Sequence, residues 1–493
     1  LVTSPVAVQV QFFGPDWQNV VSGNFYNDLG PATLAYSGSY YLLIQSSLST
    51  PSSYSFQMLD YSNQLSMPLN TDVSGALAPY GSAMYQLQIT NGQRLYFYGK
   101  ASSTGGAYWT LYDPRNTQVG SANMGVDFQW TASYSGNYVL VFATGANPAL
   151  YTNQVSMFSF ITNSLTLGTP VTNTITRPGD QLVYTFDGSP GQRLFYDALN
   201  SGNAFLYVSL VSPTGQTVFS GNAIYDIGPV TLTQSGTYRL VFSGSTHTTG
   251  GISFQLFDVA AQPVLPLNAD FTATLPPTTS AVYQFAGTNG QQLYFDGKGT
   301  GVSASYWTLY DPKNTSVGSA NMANDFALTL PYTGTYVLVF QAGSNPVTYS
   351  NQVHTISVST NTLVLGTVTT ATIAHPGDQA LYTFTGTAGQ RVYFDGQNAT
   401  YFSGTVTLVS PAGPTVFSGN PSYDVGPYTL TEPGTYTLML AGSGDTTGAT
   451  AFQLVDAGTQ PALPLNTDLT GTLTANSCVF YTVNGSIGQQ LFF

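Results

Sequence analysis

Short runs rich in Val, Tyr, Phe, Leu and Thr alternate along the chain with clusters of Gly, Pro, Asn and Asp; residues 182–186 (LVYTF), 306–310 (YWTLY) and 336–340 (YVLVF) are examples. β-Branched and aromatic residues suit a pleated, half-buried surface, so runs of this kind between turn formers predict strands. No segment offers a convincing helical period. The turns are predicted by chemistry as well as by position. Asp113-Pro114, Asp311-Pro312, Ser212-Pro213 and Ser410-Pro411 read as turn starts, because Pro presets φ while Asp or Ser bonds the backbone just ahead. A Gly-x-Tyr pattern recurs at Gly38/Tyr40, Gly136/Tyr138, Gly236/Tyr238, Gly334/Tyr336 and Gly434/Tyr436. Each instance opens an apolar run and is similar to the corner at which a sandwich chain crosses between sheets and a Tyr hydroxyl pins the loop.

The pattern repeats. YWTLYDPRNTQVGSANM at 108–124 returns as YWTLYDPKNTSVGSANM at 306–322, an offset of 198 residues. A weaker repeat lies at half that distance: Gly-Gln before an apolar and aromatic run starts at Gly92, Gly191, Gly290, Gly389 and Gly488, in steps of 99. The chain is therefore an array of two alternating module types, A and B, on one plan. The expected domains are a partial B at 1–66, A at 67–164, B at 165–264, A at 265–362, B at 363–462 and a partial A at 463–493. The fold class predicted is all-β, a tandem array of antiparallel two-sheet β-sandwiches of jelly-roll or immunoglobulin-like type. Linkers such as DVAAQPV at 258–264 are short and carry Pro, which predicts abutting modules.

Composition narrows the class. Charged residues are 6% of the chain and aromatic ones 14%, against roughly 25% charged in an average soluble protein. Disordered chains are poor in aromatics, so this one is expected to fold. A thin net charge of −13, with nine Lys and Arg in all, provides no basic stripe and argues against a nucleic-acid partner. No apolar run approaches the ~18–20 residues of a membrane-spanning helix, and Leu1 heads no secretory signal, so the sequence reads as processed or excised. Cys478 is the sole cysteine, which rules out an intrachain disulfide.

The segments Pro376-Gly377-Asp378, Leu381-Tyr382-Thr383-Phe384, Gly389-Gln390-Arg391-Val392-Tyr393-Phe394, Leu408-Val409-Ser410-Pro411 and Gly434-Thr435-Tyr436 together resemble the bacterial pre-peptidase C-terminal domain. That resemblance extends to every module. It implies a jelly-roll-like accessory sandwich of secreted bacterial enzymes and large surface proteins, some of whose relatives bind calcium. The Asp of its Pro-Gly-Asp turn stands at Asp180 and Asp378 in the B modules, but Gly81 and Thr279 replace it in A.

An array tests its own candidates, since a residue needed in every module should return at its register. His247 is matched by Ser49 and Asp445, His354 by Ser156 and His375 by Arg177, so all three histidines read as surface or turn positions. Cys478 aligns with Ser82 and Ser280 and has no partnered base. Asp28, Asp127, Asp226, Asp325 and Asp424 do keep one register. They read as turn caps or, together with Asp180 and Asp378, as calcium ligands. Trp109 and Trp307 occupy a strand where the B module carries Val208; they read as core or as a glycan-stacking platform. No nucleophile elbow, P-loop or zinc spacing is present, and a non-enzymatic protein without a cofactor, calcium aside, is expected.

In the 99-residue frame Phe493 corresponds to Tyr196 and Leu1 to Leu199. Residues 1–66 hold the later strands of a sandwich and 463–493 the first ones, so the expectation is that the latter complete the former in the next copy, or that the chain is a segment of one longer polypeptide. Expected function follows: a self-associating, head-to-tail structural subunit of an extracellular fibre, sheath or surface layer. The alternatives are an adhesin or carbohydrate-binding stalk contacting cell-surface glycan or matrix, and the accessory repeat region of a large secreted enzyme.

Overall fold

The fold was analysed in a computed structural model, which describes residues 8–25, 27–51, 53–100, 106–199, 204–298, 304–397 and 400–492. Leu1 and Phe493, used in the register argument, lie outside them. The described residues are all-β apart from three short 3-10 turns, and no helix among them is long and apolar enough to cross a membrane. Contacts divide it into two compact units, residues 1–191, 200–227 and 232–256, and residues 192–199, 228–231 and 257–493.

In the first unit, eight strands between Asp72 and Met157 form two four-stranded sheets. One runs Asp72–Leu77, Ala149–Met157, Arg94–Gly99, Phe128–Thr131 and the other Ser82–Ile89, Gly136–Thr144, Ala107–Tyr112, Gln118–Asn123. In chain order the sheets read first-eighth-third-sixth and second-seventh-fourth-fifth, the strand order of a jelly roll. Apolar residues from both inner faces, among them Leu95, Phe97, Trp109, Leu140 and Val155, fill the space between them. The next module adds a five-stranded sheet of Phe160–Ser164, Gln181–Gly188, Gly236–Gly244, Leu206–Val211 and Thr217–Asn222. Val171–Ile175 pairs with Gly250–Asp258 beside it. Ahead of these, Asn19–Asn24, Val8–Phe13 and Tyr41–Ser46 make a three-stranded sheet.

The second unit contains the same jelly roll twice, between Asp270 and Thr355 and between Thr369 and Asp456, each with its own apolar core. Residues 463–492 form no strand among the described residues; the Ala462–Thr482 bridge is their one ladder contact. The first strands expected at 463–493 are not formed among the described residues.

Turn chemistry accounts for the modules' shared frame. The Tyr hydroxyl of each Gly-x-Tyr donates to the carbonyl four residues back: Tyr40 to Tyr36 (2.8 Å), Tyr138 to Tyr134 (2.9 Å), Tyr238 to Gln234 (3.0 Å), Tyr336 to Tyr332 (2.8 Å) and Tyr436 to Glu432 (2.8 Å). The glycine two residues earlier has a φ of +151° at Gly136 and Gly334, and a Cβ there would stand 2.7 Å from Pro114 or Pro312. Only glycine lets this corner rest on the proline of the neighbouring turn. That turn is closed as expected: Asp113 Oδ1 accepts the amides of Arg115 and Thr117 at 2.9 and 2.8 Å, and Asp311 Oδ1 those of Lys313 and Thr315, both at 2.8 Å.

One pair of expected boundaries needs correcting. Phe160–Ser164 pairs in parallel with Gln181–Gly188, and Val358–Thr362 with Gln379–Gly386. The B modules therefore begin at these strands, five residues before 165 and 363. The short sequences FITNS and VSTNT conceal an edge strand whose side chains are mostly exposed, without the alternation of a half-buried strand.

Candidate functional site at the module junctions

Asp127, Asp180, Asp325 and Asp378, with the three histidines, lie where an A sandwich meets the B sandwich after it. Within the second unit this junction joins 265–357 to 358–462. Tyr294 donates its hydroxyl to Asp325 Oδ2 at 2.8 Å, and the amide of Gly297 donates to Asp325 Oδ1 at 2.9 Å. Asp378, buried in the Pro-Gly-Asp turn, accepts the amides of Ser357 at 2.8 Å and His375 at 3.0 Å. The first unit repeats this frame with Tyr96 on Asp127 (2.6 Å), Gly99 on Asp127 (2.9 Å) and Ser159 on Asp180 (2.8 Å). Farther along, Tyr393 and Gly396 hold Asp424, each at 3.0 Å, and Ser82 donates to Asp28 at 2.5 Å. Asp226 is half-buried.

The seven carboxylates expected as calcium ligands are therefore distributed one or two to a junction and do not converge. Five of them, Asp127, Asp325, Asp424, Asp180 and Asp378, accept backbone amides. This is the turn-capping chemistry of a carboxylate, the first of the two readings the sequence offers for them.

What converges is a different grouping, in which Asp325 is joined by two carboxylates from outside that set. Asp296, Asp325 and Asp445 each present an oxygen, all within 4.8 Å of one another. Asp296 lies in the strand Gln292–Asp296 at 1% exposure, and Lys298 Nζ reaches its Oδ2 at 3.1 Å while also holding Asp270 at 2.9 Å. His354, at 2% exposure, points Nε2 at the same Oδ2 from 3.9 Å. Asn268, Gln352, His375 and Thr447 complete an open cleft of about 500 Å³ around them. Burial and the neighbouring Asp296 and Asp325 push the Asp445 carboxyl up to about 6. Burial, with His375 beside it, holds the His354 imidazole below its usual value, so it is neutral at pH 7.

No known protein-family model matches the sequence, and no curated protein does. Among solved structures the chain is similar to the periplasmic g-type lysozyme inhibitor PliG of Aeromonas hydrophila, at 14% identity and TM-score 0.17 over 19% of this chain and 96% of that one. It is also similar to the CUB1-EGF-CUB2 domain of human MASP-1/3, at 7% identity and TM-score 0.14 over 38% and 100%. A triple jelly roll from an archaeal virus turret aligns at 12% identity and TM-score 0.14 over 61% and 84%. At such scores the likeness says nothing about what this chain does.

Of the three histidines expected at surface or turn positions, His247 and His375 are exposed and His354 departs. His354 is a core residue of the junction, not a surface one, because it inserts from the strand Val347–Thr355. His247 stacks on Tyr98 with ring centroids 4.5 Å apart, and His375 Nδ1 lies 3.2 Å from Asp378. Trp109 and Trp307 are both at 0% exposure, packed edge-on against Phe97 and Phe128 and against Phe295 and Phe326. Neither indole face is open to a sugar ring; they are core.

Cys478 sits near Asp395 and Asp424, and burial together with those carboxylates pushes its thiol up to about 12, so it stays protonated and unreactive. The residues that sequence reasoning missed are the buried aspartates Asp197, Asp296 and Asp395, each at 1% exposure and 99 residues from the next. A carboxylate inside an apolar strand was the available signal. It is masked because Tyr98 fills the corresponding place in the first A module.

Proposed function

We propose that the protein is a non-enzymatic structural subunit of an extracellular fibre, sheath or surface layer, joined head to tail by completion of open sandwiches. One observation carries this reading: the half-sandwiches at 8–66 and 463–492 expose the residues that complete modules bury. Leu34, Leu42, Tyr54, Phe56 and Met58 are exposed, whereas Leu232, Leu240, Ile252, Phe254 and Leu256, 198 residues on, are buried. Leu469, Leu473, Val483 and Leu491 are exposed, whereas Phe271, Leu275, Phe285 and Leu293 are buried. Each such side chain gains roughly 1.5–3 kcal/mol on full burial, so the two faces favour covering one another.

The strand orders are complementary. Residues 463–492 carry the sequence of the first three strands, and 8–66 that of the last five. The second strand would pair with the free side of Tyr41–Ser46, by strand addition of the kind that links subunits without new folding. Arg193 supports the same picture. Its guanidinium donates to Asn314, to the Thr335 carbonyl and to the Asp311 carbonyl at 2.9, 2.7 and 2.9 Å, gripping the sandwich that follows; at its register Arg391 stands exposed. The completing half comes from a second copy or from flanking residues of a longer polypeptide, and the joint is the same in both cases. Contacts of this heterologous type propagate instead of closing.

The test is a chain ending at Ala462. It is expected to sediment as a monomer and to form no end-to-end polymer by negative-stain microscopy; polymers of unchanged length would overturn the proposal. A native species well above 52.3 kDa in mass spectrometry assigns the joint to one polypeptide.

A further inference from the structure

The acidic group at Asp296, Asp325 and Asp445 would mean little by itself, since carboxylates gather on many surfaces. The buried imidazole beside it is the distinguishing feature. His354 lines the same cleft, and among the described residues neither of its ring nitrogens has a hydrogen-bond partner; Asp296 Oδ1 is equally unpartnered. Buried polar groups in native proteins are nearly always satisfied, and leaving them unpaired costs free energy.

Two donor atoms on one zinc-sized ion, each about 2.0–2.2 Å from it, stand at most about 4.4 Å apart. The 3.9 Å between His354 Nε2 and Asp296 Oδ2 is within that reach. Asp445 is an exposed side chain with freedom to close the remaining distance, and the Asp325 oxygens, each accepting one hydrogen bond, keep a second lone pair. Charge also favours a cation: Asp296, Asp325, Asp445 and Asp270 share the single ammonium of Lys298 and leave a formal −3.

We propose that Asp296, Asp325, Asp445 and His354 bind one divalent transition ion of the zinc or manganese type. The nitrogen donor favours such an ion over calcium or magnesium, which prefer all-oxygen shells. Asp445 follows the strand Gly434–Gly442 of one sandwich, and the other three residues belong to the sandwich before it, so the ion clasps two modules. This site does not depend on how the ends of the chain assemble.

The full chain is titrated with zinc chloride, manganese chloride and calcium chloride by calorimetry, with thermal melting alongside. The expected result is one zinc or manganese ion per chain, calcium markedly weaker, and a melting temperature that climbs with ion concentration. Asp445→Asn, at an exposed position that leaves the fold intact, and His354→Gln each weaken zinc binding at least about tenfold. Absence of binding, zinc affinity undiminished in Asp445→Asn, or calcium held as tightly as zinc would each overturn the proposal. Should His354→Gln misfold, the Asp445→Asn and calcium arms decide.

Discussion

The two A-to-B junctions have one frame, and in both a lysine holds the aspartate that opens the first strand, Lys100 on Asp72 and Lys298 on Asp270, but the rest of the lining differs. Around Asp127 the partners are aromatic: Tyr98 lies flat on His247, Lys100 Nζ sits 4.7 Å above the Tyr98 ring, and His247 Nδ1 is 3.7 Å from the carboxylate. Around Asp325 the same registers hold Asp296 and Asp445, with Lys298 as an ion-pair partner and His354 where the first junction has Ser156. The hydrogen bonds that fix the strands, Tyr to Asp, Gly to Asp and Ser to Asp, are common to both. A module array can thus hold its joint geometry with backbone-directed carboxylates while the lining changes from ring stacking to titratable charge.

The largest effect should come from the shared frame. Asp378→Ala and Asp180→Ala each remove a buried acceptor from backbone amides, an expected loss of about 1–3 kcal/mol in denaturant unfolding. A loss at one junction and none at the other would show that the frames are not equivalent.

A smaller effect, and one confined to the acidic lining, concerns pH. The folded protein favours protonated Asp445, raised from its ordinary 3.8 to about 6, so without metal its contribution to stability is complete below about pH 4 and fades as pH rises through 6. Melting temperature followed from pH 4 to 7.5 should show this decline, and Asp445→Asn should flatten it. An unchanged slope in the variant would remove Asp445 from the account. The smallest effect is expected for His247→Ala, which deletes an exposed stack on Tyr98 and should cost under about 1 kcal/mol; a larger loss would mean that the aromatic lining also carries structural weight.

What sequence made legible was whatever each module needs for itself. The Gly-x-Tyr corners and the Asp-Pro turns recur because every sandwich must cross between its sheets in the same way, and they were readable down to the atom that bonds. The strands at Phe160–Ser164 and Val358–Thr362 were not, because an edge strand exposed along most of its length has no alternation to betray it. The junction chemistry was hidden for another reason. Asp296 and Asp445 are far apart along the chain and face Tyr98 and His247 at their own registers, so a search for residues that return in every module discards the ones that differ. His247, His354 and His375 were set aside on that ground, yet each lies at an A-to-B junction, where a sandwich meets a different neighbour in each repeat.

The parallel edge strands also bear on mechanics. Residues leaving one sandwich are zipped at once onto Gln181–Gly188 or Gln379–Gly386 of the next over five residue pairs, so the hinge region is itself woven into sheet. Tension arriving along the chain meets a row of hydrogen bonds that resist as a set, not a slack tether that lengthens freely. A protein built this way should transmit load from module to module with little stretch until a whole edge lets go.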